Sequence, residues 1–362
     1  HLHLHLHLPH RLHTLRTFVD AKVKWVRDPY LDTAVQKEKN LKPILSLKTL
    51  ILSQPSRTLP ISTVSSKKNH LRLPTSAAKF IQNYPSIFQQ FHPSKPLSLP
   101  HLKLTPQALS VHREERAVFN SSGHRKDAAE RLAKLLMLTG AGKLPLNVIE
   151  KLKIDLGLPH NYILDLLPDF PEYFQICSMG GEMVGLELIS WRDELAVSAM
   201  ERMAMNVSSG YKRGMPIAFP MRLPNGFDLE KKVKNWVDEW QKLPYISPYE
   251  DAFHLSQNSD QAEKWTVAVL HELLHLLVSK KTERENVFCL GDYLGFGLRF
   301  KKALVHHPGI FYVSNKIRTQ TVVLREAYRK DFLVMKHPLM GMRYRYIHLM
   351  NKPMKRSKAI QV

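Results

Sequence analysis

One short stretch of the chain has residue types and spacing that could catalyse a hydrolysis. His271, Glu272 and His275 fit the pattern H-E-x-x-H, in which two histidines one helical turn apart bind Zn²⁺ and the glutamate acts as a general base. Such a site needs a third ligand, and the following residues, LLVSKKTERE, lack the glycine and third histidine of the metzincin continuation. His271 and His275 are therefore weak metal candidates, and the alternative is an ordinary helix whose leucines face the core.

Other signatures of catalysis are missing from the sequence. It contains no G-x-x-x-x-G-K-[S/T], no G-x-G-x-x-G and no G-x-S-x-G, the motifs that cradle phosphates, bind dinucleotides or present a nucleophilic serine. Its two cysteines, Cys177 and Cys289, have no metal-ligand spacing and no disulfide framework. The sequence therefore predicts no catalytic residue, no cofactor and no enzyme, with an H-E-x-x-H zinc hydrolase as the alternative.

The charge of the chain points to a polyanionic partner. Its 53 Lys and Arg against 32 Asp and Glu give a net charge of +21, and such an excess usually indicates nucleic acid. The cations are concentrated at the ends, with 13 against 4 acids in residues 1–73 and 15 against 2 in residues 298–362. Residues 74–297 are nearly neutral, with 25 against 26. A merely solvated surface is the alternative for these charges.

Two clusters at these ends combine cations with aromatic rings. Such combinations bind RNA by neutralising phosphates and by stacking on bases. The predicted RNA-binding residues are Lys22, Lys24, Trp25 and Arg27 in the first cluster, and Lys316, Arg318, Arg325, Arg329, Arg343, Tyr344, Arg345 and Tyr346 in the second. For Trp25, Tyr344 and Tyr346, packing in the core is an equally good interpretation.

An internal repeat indicates which elements position these residues. Residues 84–88 (YPSIF), 170–174 (FPEYF) and 307–311 (HPGIF) each follow a short amphipathic stretch and precede strand-like residues. Proline stops a helix and pushes its predecessor towards extended geometry, and the residues that follow would form a hairpin. A helix followed by a two-stranded wing is the outline of a winged-helix unit. The three matches are unevenly spaced, so a regular solenoid is not predicted, and a chance match is the alternative.

The remaining sequence favours helices. Ser- and Lys-rich residues 61–72 predict a loop. Apolar residues recur at helical spacing over 127–138, 146–156, 191–205, 229–243 and 262–278. The predicted fold class is therefore α+β, predominantly helical, with three winged-helix-like helix/β-hairpin units.

The two ends of the chain have distinct compositions. Residues 1–19 contain no acid, include Arg11 and Arg16, and begin with an alternating His-Leu run, and an acid-poor, basic N-terminus is typical of an organelle transit peptide. They are predicted to be a transit-peptide remnant, and residues 351–362 a basic C-terminal tail. No apolar run reaches the roughly 18–20 residues that a membrane span needs, so no membrane partner is predicted.

Several ordered motifs resemble the plant organelle RNA recognition (PORR) domain. The resemblance covers residues 20–350, within which sub-units are predicted at 20–140, 141–245 and 246–350. Its motifs are VKWVRD at 23–28, YPSIF at 84–88, LLPDFPEYF at 166–174, LISWRDEL at 188–195, PYISPYE at 244–250, the helix at 270–277, the block at 307–324 and MRYRY at 342–346.

The resemblance implies a function in organelle RNA processing. It implies a nuclear-encoded protein that is imported into mitochondria, or alternatively chloroplasts. It also implies binding to organelle intron RNA and promotion of group II intron splicing, together with other splicing factors in a ribonucleoprotein complex. Catalysis would reside in the RNA, so the family has no catalytic residues to carry over. A winged-helix DNA-binding regulator is the second alternative.

Overall fold

The structure, a computed structural model, describes residues 22–93, 98–224, 229–297 and 300–352. Within these ranges helices predominate and the strands form small antiparallel sheets, which confirms the predicted α+β, mainly helical class. None of the helices described there is both long and apolar enough to cross a membrane. The predicted transit-peptide remnant, residues 1–19, and all but the first two residues of the predicted basic tail lie outside the described residues.

The described chain begins with an extended segment, residues 22–28, and helix α1, Pro29–Lys37. Asp28 caps this helix, because its side chain accepts hydrogen bonds from the backbone N–H groups of Tyr30 and Leu31. A carboxylate cap followed by proline is a favourable helix start. The apolar face of α1 is buried in the larger of the two main cores.

The first helix–hairpin unit comprises residues 41–104. Its strands pair antiparallel in the order β1-β3-β2, so the hairpin of β2 and β3 is extended by β1. In chain order its elements are α2 (Leu41–Leu52), β1 (Leu59–Pro60), α3 (Ile61–Ser66), α4 (Ala77–Asn83), β2 (Phe88–Phe91) and β3 (His101–Leu104).

Helix α5 (Pro106–Asn120) leads to the second unit, residues 122–188. Its elements are α6 (Ser122–Leu138), β4 (Lys143–Pro145), α7 (Leu146–Leu152), α8 (Tyr162–Asp165), β5 (Phe174–Ser178) and β6 (Val184–Leu188). A 3-10 turn, Leu167–Asp169, stands before the hairpin. The strand order, β4-β6-β5, repeats that of the first unit.

Helices α9 (Ala199–Val207) and α10 (Lys231–Gln241) precede the third unit, residues 260–324. Its elements are α11 (Asp260–Leu276), β7 (Lys281–Glu283), α12 (Arg284–Gly291), α13 (Phe300–His306), β8 (Phe311–Ser314) and β9 (Thr321–Leu324). The strand order is again the same, β7-β9-β8. After it come β10 (Tyr328–Arg329), β11 (Phe332–Leu333) and α14 (Pro338–Met350).

The three proline motifs occupy the same place in each unit. A helix or 3-10 turn ends at Asn83, Asp169 and His306, and the first hairpin strand begins five residues later in every case. A proline stands two residues after each end, where its missing N–H and fixed φ prevent the helix from continuing. The structure thus contains three helix–hairpin units with one strand order, while their assignment as winged-helix domains stays a prediction.

Two main hydrophobic cores hold these elements together. The larger core joins the second and third units with α1, α9 and α10. The smaller core contains the first unit, α5 and the C-terminal part of α14, from which Tyr346, Ile347, Leu349 and Met350 are buried. The last described helix therefore completes the core of the first unit. The predicted sub-unit boundaries stay predictions.

Two elements expected from the sequence are wrong. Residues 61–72 contain α3, because Val64 is buried and anchors one helical turn despite the polar composition. The helix expected over 191–205 starts later, since Ser198 and Glu201 form a reciprocal capping box that fixes the start of α9.

Candidate nucleic-acid interface

The glutamate of the H-E-x-x-H motif has a structural partner. Glu272, on α11, is 1% exposed, and its Oε2 accepts a 2.8 Å hydrogen bond from the backbone N–H of Ala199. Its Oε1 lies 3.6 Å from the Lys134 ammonium. A carboxylate at a helix N-terminus satisfies a free N–H group and interacts favourably with the helix dipole. Glu272 therefore holds the start of α9 against α11.

The two histidines of the motif have separate environments. The His271 Nε2 contacts the carboxylate of Glu326, whereas burial and the nearby Lys280 cation lower the pKa of His275 to about 2. Within the described ranges, two groups of His, Asp and Glu lie close enough together to hold a metal ion, and neither includes His271 or His275. The motif is best interpreted as part of a packed helix.

The two groups that could hold a metal were not expected from the sequence. They are Glu263 with His306 and His307, and His124 with Asp127 and His337. In the first group, burial alone would raise the pKa of Glu263, but hydrogen bonds with His306 and His307 lower it to about 2. In the second group, the Arg131 guanidinium lies 2.7 Å from Asp127. Both carboxylates therefore already have ionic or hydrogen-bonding partners.

The first predicted RNA-binding cluster is at the surface. Its members all lie in the extended segment before α1 and are exposed: Lys22, Lys24, Trp25 and Arg27. Trp25 is 43% exposed, and its ring is stacked on the Tyr312 ring of β8, with 6.1 Å between the ring centroids and 12° between the planes. The indole therefore combines a packed side with an exposed side.

Ion pairs and hydrogen bonds fasten this segment to the third unit. Asp28 forms an ion pair with Arg325. Asp32 accepts hydrogen bonds from Tyr312 at 2.8 Å and from Ser314 at 2.7 Å. Burial alone would raise the pKa of Asp32, but these hydrogen bonds lower it. The N-terminal cluster consequently lies beside the hairpin of β8 and β9.

The turn of this hairpin, residues 315–320, presents two of the predicted cations. Lys316 and Arg318 are exposed, and in the part of the chain that the structure describes neither forms an ion pair. Arg329, on β10, is exposed as well. Because Trp25 stacks on the strand that leads into the turn, the structure brings members of both clusters together around the third hairpin.

Arg325 lies beneath this surface. It is 4% exposed, it pairs with Asp28, and its Nε donates to the carbonyl of Pro308. Its guanidinium also lies 5.0 Å from the centroid of the Tyr312 ring. Arg325 therefore fixes the N-terminal segment to the third unit.

The RYRY stretch of α14 is divided between core and surface. Arg343 and Tyr346 are buried, 6% and 0% exposed, whereas Tyr344 is 41% exposed. Arg345 forms an ion pair with Glu114 of α5. This division follows from the helical period, which turns residues three apart to the same face. Tyr344 and Arg345 line an open groove between α5 and α14.

A second basic region was missed when the charges were counted separately for the two ends and the centre of the chain. Between Glu38 and Glu114 the chain has eleven Lys and Arg and no Asp or Glu. This signal is present in the sequence, but a boundary at residue 73 splits it between the basic end and the neutral centre. The region includes the whole first unit.

Comparison with known proteins identifies the class of this molecule. The model of the plant organelle RNA recognition domain matches residues 26–355, nearly the whole chain. The chain therefore belongs to the PORR domain family, a family of plant organelle RNA-binding proteins. No solved structure matches the chain.

The names of some individual relatives assign them to mitochondria or to chloroplasts. The protein WHAT'S THIS FACTOR 9, mitochondrial, of Arabidopsis thaliana is 37% identical over 337 residues, which cover 92% of this chain and 86% of that protein. WHAT'S THIS FACTOR 1, chloroplastic, of Zea mays is 31% identical over 88% of this chain and 65% of its own length. ROOT PRIMORDIUM DEFECTIVE 1 of Arabidopsis thaliana is 30% identical over 88% and 80%. The mitochondrial likeness confirms the predicted location, and the chloroplast relatives agree with the alternative.

Proposed function

We propose that the protein promotes group II intron splicing in mitochondria by binding and organising intron RNA. The observation that carries the proposal is the docking of the N-terminal segment on the third unit, in which Trp25 stacks on Tyr312 of β8, the strand that leads into the basic turn 315–320. Membership of an RNA-recognition family supports it. The protein itself is not an enzyme in this proposal, because the intron RNA supplies the catalysis.

The exposed cations around the third hairpin supply affinity for the RNA backbone. Lys22, Lys24, Lys316, Arg318 and Arg329 are all exposed. Each contact with a phosphate releases counterions, so affinity falls as salt rises, by about 0.7 in the logarithmic slope per contact for single strands. Arg325, Arg343 and Tyr346 are left out of the proposed contact set because they are buried.

Trp25 supplies a platform for a base. One side of its ring is stacked on Tyr312, which fixes its orientation, and 43% of the residue remains exposed. A ring held in place binds an unpaired base with little loss of side-chain freedom, and such stacking is worth about 1–3 kcal/mol. Single-stranded loops and bulges of a folded intron offer such bases.

Splicing would be promoted by restricting the folded intron to an active arrangement. A protein that contacts backbone and unpaired bases together recognises RNA shape. Other splicing factors would bind the same intron, so the protein acts within a ribonucleoprotein complex.

The first experiment is crosslinking of the tagged protein in isolated mitochondria, followed by sequencing of the bound RNA. Enrichment of one or a few group II introns is expected, with loss of their splicing and intact transcription in a mutant. Unchanged splicing of every mitochondrial intron would overturn the proposal. Preference for duplex DNA over structured RNA would favour a DNA-binding regulator, and stoichiometric zinc with hydrolytic activity would favour the hydrolase.

A pair of variants tests the proposed surface directly. The double variant Lys316→Ala/Arg318→Ala is expected to weaken binding to an enriched intron and to reduce the salt slope by about 1.4. The matched control, Lys126→Ala/Lys212→Ala, removes two exposed cations, one on α6 and one between α9 and α10, and is expected to leave the slope unchanged. An equal loss of affinity in both double variants would indicate a general effect of net charge and not a contact at this surface.

A further inference from the structure

The first unit has a charge that its architecture does not require. Residues 41–104 contain nine Lys and Arg and no Asp or Glu, whereas residues 122–188 of the second unit contain seven and nine. Both units have the same strand order and the same placement of helices. Since one architecture accommodates both charge balances, the excess in the first unit points to an external polyanion.

The cations of the first unit that form ion pairs do so with acids outside it. Lys42 pairs with Asp155 at 2.9 Å and Arg72 with Glu283 at 3.1 Å. The buried Lys48 pairs with Glu115 of α5. These three contacts hold the unit against its neighbours.

Four exposed cations of this unit have no acidic partner in the described chain: Arg57, Lys67, Lys68 and Lys79. Lys67 and Lys68 lie in the connection between α3 and α4, and Lys79 lies on α4. Gln82 and Asn83, three and four residues after Lys79, are exposed as well, so they share its helix face. This face combines the Lys79 cation with two side-chain amides, which together can bind phosphates and base edges.

The basic connection between α3 and α4, residues 67–76, lies next to the turn of the third hairpin. Arg72, which follows the Lys67-Lys68 pair, contacts Glu283 of β7. In the sheet, Glu283 pairs with Thr321, the residue that directly follows turn 315–320. The two basic regions therefore meet at the Arg72–Glu283 ion pair, although they lie far apart in the sequence.

We infer that the first unit is a second RNA-binding module, with Lys67, Lys68 and Lys79 contacting phosphates of the same RNA strand that binds at the third hairpin. The inference rests on the proposed function and deepens it. It assigns the RNA a path across two helix–hairpin units that the Arg72–Glu283 contact joins.

The test is the salt dependence of binding to an intron transcript. The triple variant Lys67→Ala/Lys68→Ala/Lys79→Ala is expected to lower the slope of log affinity against log salt by about 2, since three phosphate contacts are lost. Its matched control is Lys126→Ala/Lys151→Ala/Lys212→Ala, which removes the same charge from exposed positions outside the first unit. Thermal unfolding is measured for both, and no change is expected because every substituted side chain is exposed.

The outcomes separate this inference from the proposed function. A reduced slope in the first triple variant, with the control unchanged, supports the module. If the wild-type protein binds the intron and the first triple variant has the same slope as the wild type, the inference is overturned and the proposed function stands. Absence of intron binding by the wild-type protein overturns both.

Discussion

At the scale of single residues, Glu272 is defined by its partners and not by its motif. Its carboxylate is 1% exposed, caps α9 through Ala199 and lies near Lys134. Removal of one partner from such a buried arrangement leaves the other charge uncompensated. Glu272→Ala is therefore expected to lower the free energy of unfolding by about 3 kcal/mol, measured by urea denaturation. The exposed Glu239→Ala on α10 is the control, with an expected change within about 0.5 kcal/mol.

The zinc hydrolase makes the opposite prediction for the same residue. If Glu272 were a general base, Glu272→Gln would leave folding nearly intact and would abolish a hydrolytic activity. A stable variant with unchanged urea midpoint for both the Ala and the Gln substitution would contradict the structural role assigned to this side chain.

Trp25 can be tested in the same way. Trp25→Ala is expected to weaken binding to the intron about tenfold, since base stacking on an aromatic ring is worth about 1–3 kcal/mol. Trp25→Phe keeps a ring and is expected to retain most of the affinity. If Trp25→Ala lowers thermal stability while affinity stays unchanged, the indole serves packing against Tyr312 alone.

The sequence could identify residue types at the site but not their partners. Lys316 and Arg318 are exposed, while Arg325 is buried against Asp28, which lies 297 residues away in the chain. Charge runs alone do not distinguish these cases, because the partner is brought near only by folding. Arg343 is buried for a similar reason, since its face of α14 packs inwards.

At the scale of elements, the sequence predicted helix ends and hairpins correctly where a single proline determines them. The prolines after α4 and α13 and before β5 predicted three helix ends and three hairpins because proline cannot continue a helix. The start of α9 and the existence of α3 were missed, since a capping box and one buried valine outweigh composition there. Tertiary burial is not visible in a stretch of six residues.

A glycine tests the contact between elements. Gly157 has φ +68, and a Cβ there would lie 2.8 Å from Val278 Cγ2 and 2.9 Å from Leu339 Cδ1. Gly157→Ala is therefore expected to destabilise by about 2–4 kcal/mol, through both backbone strain and overpacking. Gly142→Ala, with φ +65 and open space, isolates the strain at about 1 kcal/mol. Equal urea midpoints for the two variants would contradict the clash.

At the scale of the whole molecule, one architecture recurs with three different charges. The first unit is acid-free, the second is nearly balanced, and the third, residues 260–324, has nine Lys and Arg against six Asp and Glu, with Lys316 and Arg318 on its hairpin turn. Their shared strand order shows that the fold tolerates all three distributions. The architecture therefore does not require the differences in charge, and they could be read from the sequence only after the unit boundaries were known.

Buried histidines give the whole fold a pH dependence. Burial, together with the Arg131 cation, lowers the pKa of His124 to about 4, and burial lowers that of His275 to about 2. In the unfolded chain these rings bind protons near the ordinary histidine pKa of 6.5, whereas in the folded chain they remain neutral at that pH. The contribution of these two histidines to the free energy of unfolding is therefore fully present above about pH 6.5. It falls as the pH decreases towards their pKa values in the folded chain.

This dependence is measured as the urea midpoint at about pH 7.5 and about pH 5.5, with a lower midpoint expected at the acid value. His275→Gln is expected to reduce the difference between the two midpoints. The exposed His70→Gln is the control and leaves the difference unchanged. A midpoint that rises on acidification would contradict the assignment of these rings as buried and neutral.

The burial of α14 in the first unit has a consequence for the order in which the chain can fold. A ribosome releases residues 41–104 well before residues 346 and 347, whose side chains, Tyr346 and Ile347, close their core. The first unit must therefore remain incomplete, with apolar surface open, while the middle of the chain assembles. A premature stop before Pro338 would delete none of the unit's basic residues and would still deprive them of a folded support.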